Sequence, residues 1–258
     1  MNKMRKNKPR KEYIYATTSN VVDNISLSFD TKTGGIRFET EVKDTYSEIT
    51  YDRAKGPKVI SRTPQNEVDL LFGHHAAIEN NYEIIFAVDT NTVKIHGRNI
   101  SVSGIIQAQK IFAVDTSGVT TNPWQYFTPF CIELTEIRMK PENIGWMLLI
   151  KHIQSEIKYT KFNNIGIIVD SDLGNLKEYN SRNQPIFDNF LLPEKFQLIY
   201  ASSDTGKDLF ANKMLKYADK ASSLCLEALR DGTIPLNTKI VENQHYSGIR
   251  YLVSNLHS

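Results

Sequence analysis

Apolar and polar positions change rhythm along the chain, and each change marks an element. Between residues 12 and 52 the two kinds alternate (Tyr13, Tyr15; Ile25, Leu27, Phe29; Ile36, Phe38) around Lys32-Thr33-Gly34-Gly35. Period-two alternation predicts strands, and paired glycines supply the positive φ of a hairpin turn. A loop rich in Lys, Gly and Pro follows from Asp52 to Pro64, and Glu67–Ile78 reads as one short helix. Tyr82–Asp89 (YEIIFAVD) is a compact apolar run ending in a carboxylate, Asn99–Ala113 is rich in β-branched residues, and Thr128–Ile137 is a third apolar run. All three predict strands. Pro141-Glu142 opens Asn143–Tyr159, where apolar residues at 144, 147, 148, 150, 153 and 157 recur at helical spacing. Ile165–Asp170 and Phe196–Ala201 predict two more strands, separated by a polar loop over Asn175–Asn189. The second strand leads through Ser202-Ser203-Asp204-Thr205-Gly206 into a helix from about Lys207 to Arg230, closed by Asp231-Gly232.

From Tyr82 the order is therefore strand, strand, strand, helix, strand, loop, strand, helix. Closely spaced neighbours predict an antiparallel meander, and the later crossovers a parallel extension. An echo of Ile85–Thr90 at Ile111–Thr116 has no third copy, so it reads as two strand ends closed by Asp-Thr and not as a solenoid.

Composition places this pattern in a folded domain: 258 residues, 40% hydrophobic and 23% charged. No apolar run approaches the ~18 residues of a membrane-spanning helix. The charged start MNKMRKNKPRKEY lacks the apolar segment of a secretory signal, so a cytoplasmic location is expected. Cys131 and Cys225 have no C-x-x-C partner and read as core residues. Charge divides the chain. Residues 1–64 hold 13 Lys/Arg against 8 Asp/Glu, and residues 65–258 hold 18 against 21. Lys3, Arg5, Lys6, Lys8, Arg10 and Lys11 open the chain, and Arg53, Lys55, Lys58 and Arg62 surround Gly56-Pro57. Such clusters can track nucleic-acid phosphates, although residues 1–11 taken alone read first as a solvated, disordered tail. The expected organisation is a basic tail plus small β-hairpin extension over 1–64 and a main domain over 65–258.

Four acidic positions are placed to converge: Asp89, Asp170 with Asp172, Asp204, and Asp219. If the first and fourth strands of the main domain are adjacent and parallel, Asp89 and Asp170 stand side by side at their C-terminal ends. Carboxylates that close repel unless a divalent cation lies between them, and oxygen ligands suit Mg²⁺ or Mn²⁺. On the last helix Ala211, Met214, Ala218, Cys225 and Leu229 form one apolar stripe with Asp219 at its margin. Asp204, just after the fifth strand, is an equally good geometric candidate for the same corner. Simpler roles exist: a strand-end Asp closes a turn, and Asp204 or Asp208 caps the following helix. Glu133 interrupts an apolar strand and alternation leaves its face open, while Glu142 suits a helix N-terminus. ASSDTGKD at 201–208 lacks the first Gly and last hydroxyl of a phosphate loop. Adjacent His74-His75 point about 100° apart on a helix. The aromatic stretch Asn122–Phe127 either stacks bases or plugs a core edge.

With Asp89 on the first strand and Asp170 ending the fourth, the element order resembles the ribonuclease-H-like, or integrase-like, superfamily over about residues 80–230. The chain is also similar to a group of uncharacterised prokaryotic proteins of that fold through FAVDTNT (86–92), SVSGII (101–106), IIVDSD (167–172) and KYADKAS (216–222). The resemblance implies an α/β fold with a ribonuclease-H-like mixed sheet, three antiparallel strands extended by parallel ones, and flanking helices. It further implies an Asp-coordinated two-metal site, holding Mg²⁺ or Mn²⁺, that hydrolyses phosphodiester bonds of DNA or RNA. Asp89, Asp170 and Asp219 would be catalytic, with Asp172 and Asp204 as further metal ligands; a helix Asp in the family favours Asp219 for the third position. The family's Glu on the first helix has no clear counterpart. That departure implies an alternative, a catalytically inactive nucleic-acid or protein binding module on the same fold, and a protein partner or homo-oligomer suits either reading.

Overall fold

The computed structural model describes residues 12–17, 24–32, 35–41, 46–52, 56–61, 82–110, 113–114, 120–121, 124–170, 179–186, 189–201 and 210–253. Five strands precede the main sheet: β1 (Glu12–Thr17), β2 (Asn24–Asp30), β3 (Gly35–Glu41), β4 (Tyr46–Asp52) and β5 (Gly56–Ser61). β2 and β3 form the hairpin that the paired glycines predict, with Asp30 opposite Gly35. β1, β4 and β5 form a separate antiparallel sheet.

The main sheet is built on β6 (Ile84–Ile95) and β7 (Arg98–Lys110), a long hairpin in register from Ile84↔Gln109 to Ile95↔Arg98. Its two-residue turn, His96-Gly97, has positive φ at both positions (47° and 82°), the twist that a tight hairpin between right-twisted strands requires. β8 (Ala113–Val114) and β9 (Thr120–Thr121) pair with each other, and β10 (Trp124–Phe127) adds to β7. β11 (Phe130–Thr135) follows, then helix α1 (Pro141–Ser155), a 3₁₀ turn (Ile157–Tyr159), β12 (Ile165–Asp170), β13 (Phe196–Ala201), helix α2 (Phe210–Arg230) and β14 (Gly248–Val253). The strand order is β13-β12-β6-β7-β11-β14, with β10 beside β7. β12 runs parallel to both β6 and β13, and every other pair is antiparallel. The chain is thus α/β, with a mixed, mostly antiparallel sheet and the predicted parallel extension.

Both faces of this sheet are covered, which is why β6, β11 and β12 read as continuous apolar runs. α1 buries Trp146, Leu149, Ile150 and Ile153 against Phe86, Ile105, Ile132 and Ile167 on one face. α2 buries Met214, Leu215, Ala218 and Cys225 against Ile85, Ala87, Ile106 and Ile168 on the other. The β2–β3 hairpin packs on α2, and its Ile25, Ile36 and Phe38 are buried in that same core.

Four strands were not expected: β5 lies in the segment read as a loop, where pairing to β4 makes it a strand, and β9, β10 and β14 are the others. β10 lies in the aromatic stretch, where Tyr126 is buried and meets Tyr217 edge to face at 6.1 Å, so this ring plugs a core edge. β14 is partly exposed and polar, so its alternation is weak, and pairing to β11 decides its form. The helix expected over 67–78, with His74 and His75, lies outside the described residues. Among the described residues no helix is long and apolar enough to cross a membrane.

Candidate functional site

One transverse row of the sheet carries the site. Asp170 pairs with Ala201 on β13, Asp89 pairs with Gly104 on β7, Gly104 pairs with Cys131 on β11, and Cys131 pairs with Leu252 on β14. The β12–β6 ladder runs from Ile165↔Ile84 to Ile168↔Ala87. Two positions beyond that last pair stand Asp170 and Asp89, on neighbouring strands in the same register. Ile168 and Ala87 both belong to the α2 side of the core, so period-two alternation sends Asp170 and Asp89 to that side as well. Each is half-buried. The residues flanking them in the row, Ala201 and Gly104, are small, and over Gly104 the backbone of α2 takes up the space.

Gly104 also sets how close α2 comes. A Cβ there would collide with the backbone oxygen of Ala218 and lie 2.7 Å from the nitrogen of Ser222. Only glycine allows this turn of α2 to rest on the sheet beside Asp89. Asp219 therefore sits at the helix margin next to β6, as the apolar stripe predicts. It is exposed. Its Oδ1 accepts a hydrogen bond from Asn91 Nδ2 at 2.7 Å. Asn91 is two residues past Asp89 and on the same face. Its amide also donates to Ser222 Oγ at 2.6 Å and approaches Ser223 Oγ at 3.3 Å, while Ser222 Oγ donates to the Asp219 carbonyl at 2.9 Å. Asn91 thus ties the helix carboxylate to the strand that carries Asp89. The spacing in FAVDTNT held the signal, since i and i+2 on a strand share a face, but Asn91 carries no charge to draw notice.

The opposite face of β6 is braced by hydroxyls. Thr90 Oγ1 and Ser103 Oγ share a buried hydrogen bond of 2.7 Å, and Gly145 of α1 rests directly on this pair. Asp89 was expected at the end of its strand, but β6 runs on to Ile95 because Thr90–Ile95 pair with Arg98–Ser103, so Asp89 lies in mid-strand and is braced from both faces.

Glu133 faces α2 but serves the frame. It is fully buried, its Oε2 accepts from Arg250 Nε at 2.6 Å and pairs with the second guanidinium nitrogen, and its Oε1 accepts from Asn237 N at 3.1 Å. Cys131 and Cys225 are free, buried thiols. A hydrogen bond to Cys131 first, then burial, pushes the Cys225 thiol well above its ordinary range. Both behave as core residues, as expected. Glu142 occupies the first turn of α1, where it suits the helix dipole.

Asp89, Asp170 and Asp219 thus lie on one face of the sheet, where β12 ends beside the middle of β6. Among the described residues, however, no three His, Cys, Asp or Glu side chains converge closely enough to hold a metal ion as they stand. Asp172 and Asp204 lie outside the described residues. Compared with protein-family models, curated proteins and solved structures, the chain matches none.

Proposed function

We propose that the chain is a metal-dependent nuclease of the ribonuclease-H-like superfamily, hydrolysing phosphodiester bonds of DNA or RNA. The observation that carries this reading is the shared row and face of Asp89 and Asp170, on adjacent parallel strands beneath the helix that bears Asp219. The arrangement of three antiparallel strands with two parallel to the first agrees with what the sequence resemblance implies.

The donor set is chemically suited to a hard cation, because every candidate ligand atom is a carboxylate oxygen. Asp89 and Asp170 would hold Mg²⁺ or Mn²⁺, with Asp219 in third place and Asp172 and Asp204 as further candidates. When bound, such a cation supplies a water of lowered pKa and a Lewis acid for the leaving oxygen. The protein's own part is orientation. Asn91 holds one oxygen of Asp219 and leaves the other for a ligand, and the Thr90–Ser103 brace keeps β6 from yielding where Asp89 projects.

A second reading, a binding module on the same fold without catalysis, is favoured by one observation: the three carboxylates do not converge as they stand. Cleavage of labelled single- and double-stranded DNA and RNA with Mn²⁺ separates the two. The wild type is expected to cut at least one of these, and Asp89→Asn and Asp170→Asn to lose at least a hundredfold in rate with unchanged melting temperature. Binding without cutting by the wild type supports the module, and full activity in either variant removes that residue from the mechanism.

A further inference from the structure

A second charged surface lies at the opposite end of β12, and the proposed site makes no use of it. Lys158, Lys161 and Arg182 are exposed and Lys195 half-buried around the start of β12 and β13, with exposed Lys151 just before the last turn of α1. Backbone geometry gathers them, since Ile165 N donates to the Lys195 carbonyl at 2.7 Å and Arg182 donates to the carbonyls of Glu194 at 2.7 Å and Phe196 at 3.4 Å. Lys195 Nζ reaches the Tyr159 carbonyl at 3.4 Å, and Lys158 Nζ lies 5.0 Å from the centroid of that same residue's ring. Lys161 stands over Phe162 at 5.0 Å, Lys195 over Phe196 at 5.5 Å and Lys151 over Phe190 at 5.8 Å.

Two things follow from this arrangement. Ring faces attract the ammonium groups and restrict them, so less side-chain freedom is lost when they meet an anion. And the five cations are left with their charge available. Carboxylates at this end of the sheet include Glu83, Glu156 and Glu194, and among the described residues none of the five forms an ion pair with them.

We propose that this cluster is a docking surface for the sugar-phosphate backbone of a nucleic acid. Five like charges held together by the fold repel one another, and a polyanion relieves that repulsion while releasing its own counterions. A lipid surface fits less well. The rings of Tyr159, Phe162, Phe190 and Phe196 are all buried, so they offer no apolar face to insert. Exposed Ile157 and Leu191 are the large apolar side chains left there among the described residues. The five steps of β12 from Ile165 to Asp170 cover about 17 Å, so the cluster would touch a duplex about five base pairs from the carboxylates. The choice of nucleic acid as occupant rests on the nuclease reading.

The test is binding in EDTA, where no cleavage occurs, of the full chain to a 20-base-pair DNA duplex and a 20-nucleotide RNA across a salt series. Lys158→Gln/Lys161→Gln/Lys195→Gln is expected to lower the slope of log K against log salt by two to three units, at about 0.9 per lost phosphate contact. The melting temperature should hold, and the corresponding triple Arg variant should keep the wild-type slope. Equal slopes in wild type and Gln variant overturn the proposal, as does a wild type that binds neither probe. Lys-dependent capture by phosphatidylserine vesicles in preference to both probes overturns it too. A wild type that shows the expected slopes and fails to cut with Mn²⁺ supports this surface and defeats the nuclease reading alone.

Discussion

Asn91 and Glu133 show how differently two polar side chains on one sheet face are used. Asn91 is half-buried at the rim, and its amide reaches a carboxylate and two hydroxyls of α2. A partner that orients a metal-binding carboxylate typically contributes ten- to a hundredfold to metal affinity. Asn91→Ala is therefore expected to weaken Mn²⁺ binding about tenfold by isothermal titration calorimetry while costing only about 1 kcal/mol of stability, the worth of an ordinary hydrogen bond. Unchanged affinity in a protein that does bind Mn²⁺ would free Asp219 from the site. Glu133 is locked in the interior by Arg250 and the Asn237 backbone. Removing one member of a buried pair leaves the other charge without compensation. Arg250→Ala should cost about 3 kcal/mol in urea denaturation, and Glu133→Leu/Arg250→Leu should recover part of it. A loss below about 1 kcal/mol would show that solvent replaces the guanidinium, which is itself 27% exposed.

At the scale of elements, the approach of α2 to β7 positions the chemistry, and Gly104 permits it. Adding one methyl there meets backbone atoms of Ala218 and Ser222, which cannot rotate away as a side chain would. Overpacking of this kind costs about 1–3 kcal/mol, and an obstacle of helix backbone places Gly104→Ala at the upper end, about 3 kcal/mol. Guanidinium denaturation checks the loss, which a shift of under 0.5 kcal/mol would contradict. Gly145 offers the contrast, because its obstacles are the Ser103 and Thr90 hydroxyls, which can turn. Legibility in the sequence divides along the same line. The strands and helices with one strong period (β7, β11, β12, β13, α1 and α2) stand near their predicted positions, and β6 starts near its own but runs six residues past Asp89. β10 and β14 escaped notice because pairing to a formed sheet makes them strands, and no local period announces it. The Asp closing each apolar run was visible in FAVD and IIVD; the lysine cluster was not, since its members lie in connections 37 residues apart from Lys158 to Lys195 and meet only through the fold.

For the molecule as a whole, the sheet has two working ends. Carboxylates gather where β12 finishes beside the middle of β6, and lysines without an ion-pair partner among the described residues gather where β12 and β13 begin, so the parallel extension sets the distance between them. The antiparallel half, with β11, β14 and the buried Glu133–Arg250 pair, gives that extension a fixed edge. A parallel β6–β12 pair in this register was legible in advance because two apolar runs of similar length end in Asp. The anchoring of Asp219 through Asn91 was not, because it depends on the height of α2 over Gly104, which no periodicity encodes. The central claim is that Asp89 and Asp170 form a cation site with Asp219 as the third ligand. A crystal soaked in Mn²⁺ and measured at the manganese absorption edge tests it most directly. An anomalous peak between the Asp89 and Asp170 carboxylates, at about 2.0–2.3 Å from an oxygen of each and with Asp219 turned toward it, is the predicted result. A fully soaked crystal with no peak at that row, or with manganese bound only elsewhere, contradicts it.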